Sequence, residues 1–358
     1  MTDAPPRCSF LVPGDLGTRT GGYAYDRRII AGLRALGWAV DVQGLGDGFP
    51  SPGAAAQAQA ARVIEGLPDG ALAVVDGLAF GVLPELVRQH ARRLCWIALV
   101  HHPLSLETGL DAERQRALFD SERAALALAR GVIVTSPSTG SALADFGVEP
   151  QRVAVVEPGT EPAPLSVGSG GEALSLLCVA TVTPRKGHLL LAEALAGLKD
   201  RPWVLHCAGS LTMDEACAAA LVQAIDRHGL QQRVVLHGEQ DEAGLRALYA
   251  TADAFVLPSF HEGYGMALAE ALAHGLPVIS TRAGAIPDTV PADAGMLVAP
   301  GSLDELRAAL QQLMDDGKWR ARLSAGARVA RMNLPTWATR SARFAAALGA
   351  FAGQPGRP

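Results

Sequence analysis

The sequence has few lysines and no paired cysteines. Three of its 31 basic residues are lysines, at positions 186, 199 and 318, and with so much Ala, Gly and Arg this indicates mutational bias in the genome. The five cysteines form no CxxC pair, which disfavours disulfide and metal roles. Four of them lie in apolar runs typical of strands, so we expect buried, reduced thiols in a cytoplasmic protein.

A long apolar run and an excess of positive charge are also missing. No uncharged stretch reaches the roughly 18 apolar residues that a membrane helix needs. The polar, Pro-rich start Met1–Arg7 is not followed by the pattern of a signal peptide. The formal net charge is −5, whereas nucleic-acid-binding domains are strongly basic. We therefore expect a cytoplasmic protein without a nucleic-acid partner.

What is present points to two α/β domains. The chain has 358 residues, and domains usually have about 100–200. In the first half, short apolar runs alternate with helical patterns such as Tyr23–Leu36, which predicts βαβ units around a parallel sheet. The predicted strands are Ser9–Val12, Ala39–Gln43, Ala71–Val75, Cys95–Val100, Gly131–Thr135 and Val153–Val156.

Segment 157–171 is dense in Pro, Gly and Ser and is predicted to be a linker, because the alternation restarts after it. The second set of predicted strands is Leu174–Val179, Trp203–Ala208, Val234–Leu236, Ala254–Leu257, Val278–Ser280 and Gly295–Val298. The domains would span residues 1–165 and 166–335. Ligands bind at the carboxyl ends of such strands, so we expect the active site in the cleft between the two domains.

The most informative segment is 258–280, PSFHEGYGMALAEALAHGLPVIS. A loop with two glycines precedes a predicted helix, whose free N–H groups and positive end attract phosphate. Glu262 lies before this helix and Glu270 about one turn inside it. A diphosphate at the helix start would thus have a hydroxyl-binding carboxylate on either side, an arrangement that suits a sugar, a diphosphate and a ribose. For either glutamate taken alone, a turn residue or a solvated helix position is the favoured interpretation; the whole string favours the binding site.

The Glu262-x7-Glu270 string resembles the signature of retaining glycosyltransferase family 4, which has the GT-B fold. The similarity extends over nearly the whole second domain, through segments 234–238, 245–259 and 284–288. It implies two Rossmann-like domains facing a central cleft and a nucleoside diphosphate sugar as co-substrate, with no cofactor. We expect no metal, because Lys186, backbone N–H groups and helix dipoles would neutralise the diphosphate. Glu262 would contact the transferred sugar as a catalytic residue. The resemblance implies donor contacts by Gly263, Tyr264, Gly265 and Glu270.

The loop Thr181–His188 contributes the predicted cations. A lysine at a helix start opposes the helix dipole unless an anion is bound, so Lys186 is a candidate diphosphate ligand, with a solvated lysine as the alternative. Family members often carry an Arg five residues earlier, where this chain has Thr181. Arg185 is the candidate replacement, although its neighbouring position argues that it turns away. We treat Lys186 as exposed and expect Lys186→Ala to affect transfer more than folding.

The first domain has two candidate sites. Gly21 and Gly22 open the first helix with a spacing that does not fit GxGxxG; the resemblance implies that they face the donor diphosphate, and a plain turn is the alternative. His101 ends a predicted strand, and the resemblance places it near the transferred sugar as a catalytic residue, with His102 as the second choice. A paired-histidine metal site is disfavoured because adjacent residues on an extended chain point apart.

From Lys318 to Arg343 the chain has seven basic residues and no acidic one. This stretch indicates either contact with phospholipid headgroups, and so a peripheral position at the inner face of the membrane, or a solvated helix face. The resemblance implies that the last helix, in residues 336–358, crosses back to the first domain. The acceptor is open between a sugar, a lipid-linked molecule and another small molecule.

The predicted function is therefore metal-independent transfer of a sugar, with retention, to an acceptor hydroxyl. Two alternatives stay open on the same architecture. One is a nucleotide-sugar epimerase, which the Glu262-x7-Glu270 string disfavours. The other is a non-catalytic sugar-nucleotide-binding pseudoenzyme, which only the cation missing at Thr181 favours.

Overall fold

The computed structural model describes residues 5–353, which divide into two compact units. The first unit runs to Gly159 and resumes at Pro335, and the second runs from Thr160 to Leu334. The first boundary lies inside the Pro- and Gly-rich segment 157–171. Each unit is an α/β body on one six-stranded sheet. The predicted fold class, two Rossmann-like domains, is confirmed.

The strands of both sheets pair in parallel. Those of the first unit are β1 (Arg7–Val12), β2 (Ala39–Gly44), β3 (Leu72–Asp76), β4 (Cys95–Val100), β5 (Gly131–Val134) and β6 (Val153–Val155). Those of the second are β7 (Leu174–Val179), β8 (Trp203–Ala208), β9 (Val234–Gly238), β10 (Ala254–Leu257), β11 (Val278–Thr281) and β12 (Gly295–Val298). The strand orders are β2-β1-β3-β4-β5-β6 and β12-β11-β10-β7-β8-β9. Every strand predicted from the sequence is present.

Helices connect the strands. Those of the first unit are α1 (Gly21–Ala35), α2 (Ala54–Glu65), α3 (Gly77–Phe80), α4 (Pro84–Gln89), α5 (Ala112–Leu126) and α6 (Pro137–Ala142). In the second unit they are α7 (His188–Ala196), α8 (Glu215–His228), α9 (Glu242–Thr251), α10 (Met266–Ala273), α11 (Ile286–Thr289), α12 (Leu303–Asp315) and α13 (Gly317–Ala330). The last helix, α14 (Trp337–Ala352), belongs to the first unit.

The central strands are apolar along their length because both faces of each sheet are covered. Strand β4, with the sequence CWIALV, is buried at every residue, and so is β10, with AFVL. A parallel sheet with crossover helices on both sides requires this pattern. Polar residues are therefore concentrated where the strands end, and these ends position the candidate site.

Helix α14 packs on α1 and on the first sheet. A Cβ atom on Gly32 would lie 1.9 Å from Ser341 Oγ, so only glycine permits this approach of the two helices. The rings of Phe10 and Phe344 stack 6.5 Å apart. Arg340 also forms a 2.6 Å ion pair with Glu157. These contacts explain why the end of the chain belongs to the first unit.

All five cysteines are buried and free of disulfide bonds, as predicted. Within residues 5–353, no helix is both long enough and apolar enough to cross a membrane.

The basic stretch Lys318–Arg343 is divided between the units, because α13 belongs to the second and α14 to the first. Several of its side chains are used inside their own unit. Arg320 donates to the carbonyl of Leu313 at 2.6 Å, and Arg331 donates to the carbonyl of Ala163. The stretch is therefore not one continuous patch of free charge on either unit.

Candidate functional site

Two loops meet at the carboxyl ends of β7 and β10, which are neighbours in the second sheet. The first, 180–187, leads into α7, and the second, 258–265, leads into α10. Gly187 joins them closely: its φ is +73°, and a Cβ atom there would lie 2.3 Å from the carbonyl oxygen of Pro258. The backbone N–H of Phe260 donates to the carbonyl of Arg185 at 2.7 Å. Side chains of these loops are thereby brought together.

Glu262 is at the centre of this cluster. Lys186 Nζ donates to Glu262 Oε1 at 2.5 Å, and the Ser259 hydroxyl donates to the same oxygen at 2.6 Å. Arg185 Nη1 lies 3.6 Å from Glu262 Oε2. The Glu262 side chain is 8% exposed and that of Lys186 is 17% exposed. The expectation that Lys186 is an exposed surface lysine is therefore wrong, because its ammonium group is packed against a buried carboxylate.

Two cations keep this carboxylate ionised. Burial alone would raise the pKa of Glu262, but the charges of Lys186 and Arg185 outweigh it, and the pKa of Glu262 is lowered. Burial also lowers the pKa of Lys186, and Glu262 opposes that shift. The cluster formally contains two positive charges and one negative charge. This surplus of positive charge suits an anionic ligand.

Arg185 does not turn away from this cluster. The residues Pro184–Lys186 form a single 3-10 turn, which presents Arg185 and Lys186 to the same carboxylate. Arg185 also donates to the carbonyl of His261 at 2.9 Å. The neighbouring position of Arg185 therefore does not turn it away, because adjacent side chains of this turn reach the same carboxylate.

Helix α10 begins beside this cluster. Gly265, with φ +90°, is its N-cap and provides no capping side chain. Two hydrogen bonds from segment 285–289 fix the loop before this helix. The Thr289 hydroxyl donates to the Tyr264 carbonyl at 2.6 Å, and the N–H of Ala285 donates to the Glu262 carbonyl at 2.8 Å. A well-fixed helix start with a glycine cap is a suitable anion-binding geometry.

Glu270 lies in the second turn of α10 and is half-buried. Its Oε2 accepts from the Tyr249 hydroxyl at 3.2 Å. Tyr249 stacks on His274 at 4.6 Å, so the hydroxyl is held by a packed ring. Burial, and after it the charge of Glu270, raises the pKa of Tyr249 well above its usual range. The Glu270 carboxylate therefore has a fixed orientation.

The predicted residues of the first unit lie together as well. A Cβ atom on Gly22 would lie 3.4 Å from Cδ2 of His101, so the glycine allows α1 to approach this ring. His101 Nε2 faces two buried carboxylates, those of Asp26 at 3.4 Å and Asp76 at 3.5 Å. His102 instead contacts Glu107, with 3.2 Å between Nε2 and Oε2. The adjacent histidines thus point to different partners.

Cys178, His188 and Cys207 form a group in the second unit that has the chemistry of metal ligands. They are buried, and their ligand atoms lie within 4.8 Å of one another. Cys178 and Cys207 are opposite each other on β7 and β8, and Cys178 Sγ lies 3.6 Å from His188 Nε2. His188 is the first residue of α7 and follows Lys186 by two residues, so this cluster adjoins the loop that carries Lys186.

Three residues of these clusters are not predicted by the sequence patterns: Ser259, Asp26 and Asp76. Asp76 could have been predicted, because a carboxylate at the carboxyl end of a buried strand needs a polar or charged partner. Asp26 could be recognised only as a charge on the buried face of α1. Ser259 gave no signal, since loops commonly contain serine.

Comparison with known proteins agrees with the resemblance stated above. Residues 173–316 match the family model described as glycosyl transferases group 1. Over these residues of the second unit, the chain is similar to this family. It is 26% identical over 329 residues to an MMP α-(1→4)-mannosyltransferase of Mycolicibacterium hassiacum, covering 84% of this chain and 75% of the relative. It is 30% identical over 218 residues to a D-inositol 3-phosphate glycosyltransferase of Corynebacterium glutamicum, covering 56% of this chain and 52% of the relative.

Solved structures support the same fold. Sucrose-phosphate synthase from Thermosynechococcus elongatus matches with a TM-score of 0.80 at 21% identity, over 95% of this chain and 98% of that one. Anabaena HepE in complex with UDP and glucose matches with a TM-score of 0.75 at 19% identity, over 95% of this chain and 99% of that one. At these identities the matches establish the GT-B fold and leave the substrates open.

Proposed function

We propose that this protein is a retaining glycosyltransferase that moves a sugar from a nucleoside diphosphate sugar to an acceptor hydroxyl without a metal ion. One observation carries this assignment: Lys186, Arg185 and Glu262 converge beside the glycine-capped start of α10. Two cations, a helix N-terminus and a fixed carboxylate are the groups that a sugar diphosphate needs.

The diphosphate is assigned to Lys186, Arg185 and the first N–H groups of α10. In the free protein both cations are held by Glu262, so they are already oriented when a donor arrives. Such preorganisation reduces the cost of ordering long side chains on binding. The same positive groups would stabilise the charge that builds on the leaving diphosphate, so a divalent cation has no required role.

The two glutamates are assigned to hydroxyl groups on either side of the diphosphate. Glu262, with the adjacent backbone of Gly263 and Tyr264, would accept hydrogen bonds from the transferred sugar. Glu270, whose carboxylate is held by Tyr249, would accept hydrogen bonds from the ribose. Gly265 would allow the donor to approach the helix backbone closely.

The chemical step needs no protein nucleophile. The bond between the anomeric carbon and the diphosphate oxygen breaks, and the acceptor oxygen forms a new bond to the same face of that carbon. The acceptor proton passes to the leaving diphosphate oxygen, so the released nucleoside diphosphate carries it away. Retention of configuration follows from attack on the face that the leaving group vacates.

From the first unit, Gly21, Gly22 and His101 are assigned to the donor's diphosphate and sugar. A candidate acceptor pocket in this unit is a cavity of about 140 Å³. Its lining includes Pro50, His102, Leu104, Glu107 and Arg114. This mixture of apolar and charged groups suits a polyhydroxylated or anionic small acceptor or the polar head of a lipid-linked one.

The donor class is supported by the structural relatives. Anabaena HepE has been solved with UDP and glucose and with UDP-glucose. Because this likeness is confined to the fold, the first experiment is a thermal-shift panel of UDP-, GDP- and ADP-sugars. A ligand that binds only the folded state raises the melting temperature by mass action.

The best donor is then incubated with an acceptor mixture in the presence of EDTA. We expect a glycosylated product whose anomeric configuration, measured by NMR, equals that of the donor. An inverted product, or activity that returns only with Mg²⁺ or Mn²⁺, would contradict the assignment. Epimerised donor would identify an epimerase, and donor binding without turnover would identify a pseudoenzyme.

A further inference from the structure

Three side chains from different elements of the first unit converge beneath the end of its sheet. Asp26 lies on α1, Asp76 is the last residue of β3, and His101 directly follows β4. Both carboxylates are buried, and His101 Nε2 lies 3.4 Å from Asp26 Oδ1 and 3.5 Å from Asp76 Oδ2. One imidazole nitrogen therefore faces two acids at nearly equal distance.

The acids have few other partners. Neither oxygen of Asp26 has a hydrogen-bond donor among residues 5–353. Oδ1 of Asp76 accepts from the N–H of Leu78 at 2.7 Å, which leaves Oδ2 for the imidazole. Buried carboxylates are costly unless a positive charge or hydrogen bonds compensate them. The imidazole is the group in contact with both, and a proton on Nε2 places positive charge between them.

The surrounding groups are mostly acidic or neutral. The ring of Tyr25 meets the imidazole edge-on at 5.4 Å, and Gly22 lies against its Cδ2 side. Burial, followed by the charges of Asp76 and Asp26, raises the pKa of Tyr23 to about 12, so this phenol stays neutral. Burial would lower the pKa of His101, but the two carboxylates raise it to about 10. Burial also raises the pKa of Asp26, to about 7, so all three groups are charged together only above that pH.

We propose that Asp26 and Asp76 are positioning residues that keep His101 as an imidazolium with Nε2 turned into the protein, so that Nδ1 donates a hydrogen bond to the substrate. The His101 side chain is 20% exposed although its Nε2 is buried, so the exposed part of the ring lies away from Nε2. The role of Nδ1 rests on the proposed function; the charge state and orientation of the ring do not.

This arrangement has a mechanistic consequence. An imidazole that is already protonated cannot accept the acceptor's proton, so His101 is not the general base. This agrees with the proposed step, in which the proton leaves on the diphosphate oxygen. His101 instead contributes a positive hydrogen-bond donor, which is stronger than a neutral one.

The charge state is tested by NMR titration of the imidazole signals of the full-length protein, with His101→Gln used to assign the His101 signal. We expect His101 to stay protonated at pH 8.5. Asp26→Asn and Asp76→Asn should each lower its titration midpoint by about one pH unit or more, because each removes an opposite charge within hydrogen-bonding range. Glu107→Gln, which removes the acid beside His102, is the matched control and should leave the His101 midpoint unchanged.

A wild-type midpoint near 6.5, or a midpoint that neither Asn variant moves, would overturn the proposal. So would a stoichiometric metal ion, found by elemental analysis and lost in His101→Gln, because a divalent cation would then occupy the place of the proton. These readouts need no enzymatic activity, so they stay decisive if the proposed transfer reaction is wrong.

The role in transfer is tested separately by pH profiles. In Asp76→Asn, kcat should fall as pH rises through the lowered His101 midpoint and should recover towards the wild-type value below it. In the wild-type enzyme, kcat should not fall in this pH range. A uniform reduction of kcat at every pH would indicate a merely structural role for Asp76 and would overturn this part of the proposal.

Discussion

Lys186 Nζ lies 2.5 Å from Glu262 Oε1, so the two residues assigned to different parts of the donor are each other's partners in the free protein. Lys186 and Glu262 are 76 residues apart in sequence. Both side chains are largely buried, at 17% and 8% exposure. The pair therefore contributes to folding as well as to binding, and a substitution at either position changes both.

Lys186→Ala should destabilise the second unit, in contrast to the expectation for a surface lysine. Removing one partner of a buried ion pair costs about 3–5 kcal/mol, and the partial exposure of Lys186 brings our estimate to about 2–4 kcal/mol. Arg185 and Ser259 remain beside Glu262 and limit the loss. Chemical denaturation at pH 7 measures it.

A double-mutant cycle is the control for this effect. The single variants are Lys186→Met and Glu262→Gln, and the double variant lacks both charges. The double variant should therefore lose less stability than the sum of the two single losses. Additive losses would show that the two side chains do not stabilise each other. A Lys186→Met variant within about 0.5 kcal/mol of the wild type would indicate an exposed lysine after all.

Glu122 should make the first unit less stable as the pH rises. Its carboxyl group is buried on α5 and accepts from the N–H of Leu104 at 2.9 Å. Burial raises its pKa to about 8, above the value of about 4.3 expected in the unfolded chain. The folded state thus holds a proton that the unfolded state has lost, and stability falls as pH rises from about 4.3 to 8.

Glu122→Gln keeps an oxygen for Leu104 and does not titrate. We expect a gain of about 1–3 kcal/mol at pH 8 that shrinks towards pH 5. Glu113→Gln, in the exposed first turn of the same helix, is the matched control and should change little. Thermal unfolding at several pH values measures both variants, and a gain that is equal at pH 5 and pH 8 would contradict the shifted pKa.

The sequence predicted the strands better than the helices, for a physical reason. Buried parallel strands are unbroken apolar runs such as β4 and β10, which turn residues bound clearly. Half of helix α2 is alanine, and six of the fifteen residues of α5 are charged, so the apolar stripe by which a helix is recognised is weak in both. Their burial depends on which neighbours cover them, and this is set by the tertiary fold.

The candidate site was predictable to a similar degree. The string around Glu262 and Glu270 identified one loop, and the lysine beside Gly187 identified the other. That Lys186 and Glu262 contact each other follows from the order of β7 and β10 in the sheet, which a single sequence does not encode locally. The same holds for Asp26, Asp76 and His101, which three separate elements bring together.

Gly187→Ala should disrupt the contact between the two loops of the second unit. Its φ of +73° strains any other residue, and the new Cβ atom would meet the Pro258 carbonyl oxygen at 2.3 Å. The matched control is Gly229→Ala, with φ +62° and open space around the added atom. The control should cost about 1 kcal/mol, the usual penalty for a left-handed residue, and Gly187→Ala clearly more. Equal losses in the free energy of unfolding would mean that the contact between Gly187 and the Pro258 carbonyl does not contribute to stability.

Glu270→Gln should weaken binding of the nucleoside diphosphate more than it lowers turnover, because Glu270 is assigned to the ribose. A hydrogen bond to a charged group contributes about 1.5–3 kcal/mol, which corresponds to roughly a 10- to 150-fold loss of affinity. Tyr249→Phe removes the hydroxyl that holds this carboxylate and should give a smaller loss in the same direction. Titration calorimetry with the nucleoside diphosphate measures both variants; unchanged affinity in Glu270→Gln would remove this residue from the donor site.

Thr181→Arg and Arg185→Ala together decide whether this chain lacks a cation of the family pattern. Arg185 lies 3.6 Å from Glu262 beside Lys186, so we expect it to provide the second positive charge on the diphosphate. Arg185→Ala should then weaken binding of the nucleoside diphosphate about as much as Lys186→Met, and Thr181→Arg should bring no gain. Calorimetric affinities at two salt concentrations measure this, since charge-based differences shrink as salt screens them. If Thr181→Arg tightens binding while Arg185→Ala leaves it unchanged, the place of the family's arginine is vacant and Arg185 only holds the loop through the carbonyl of His261.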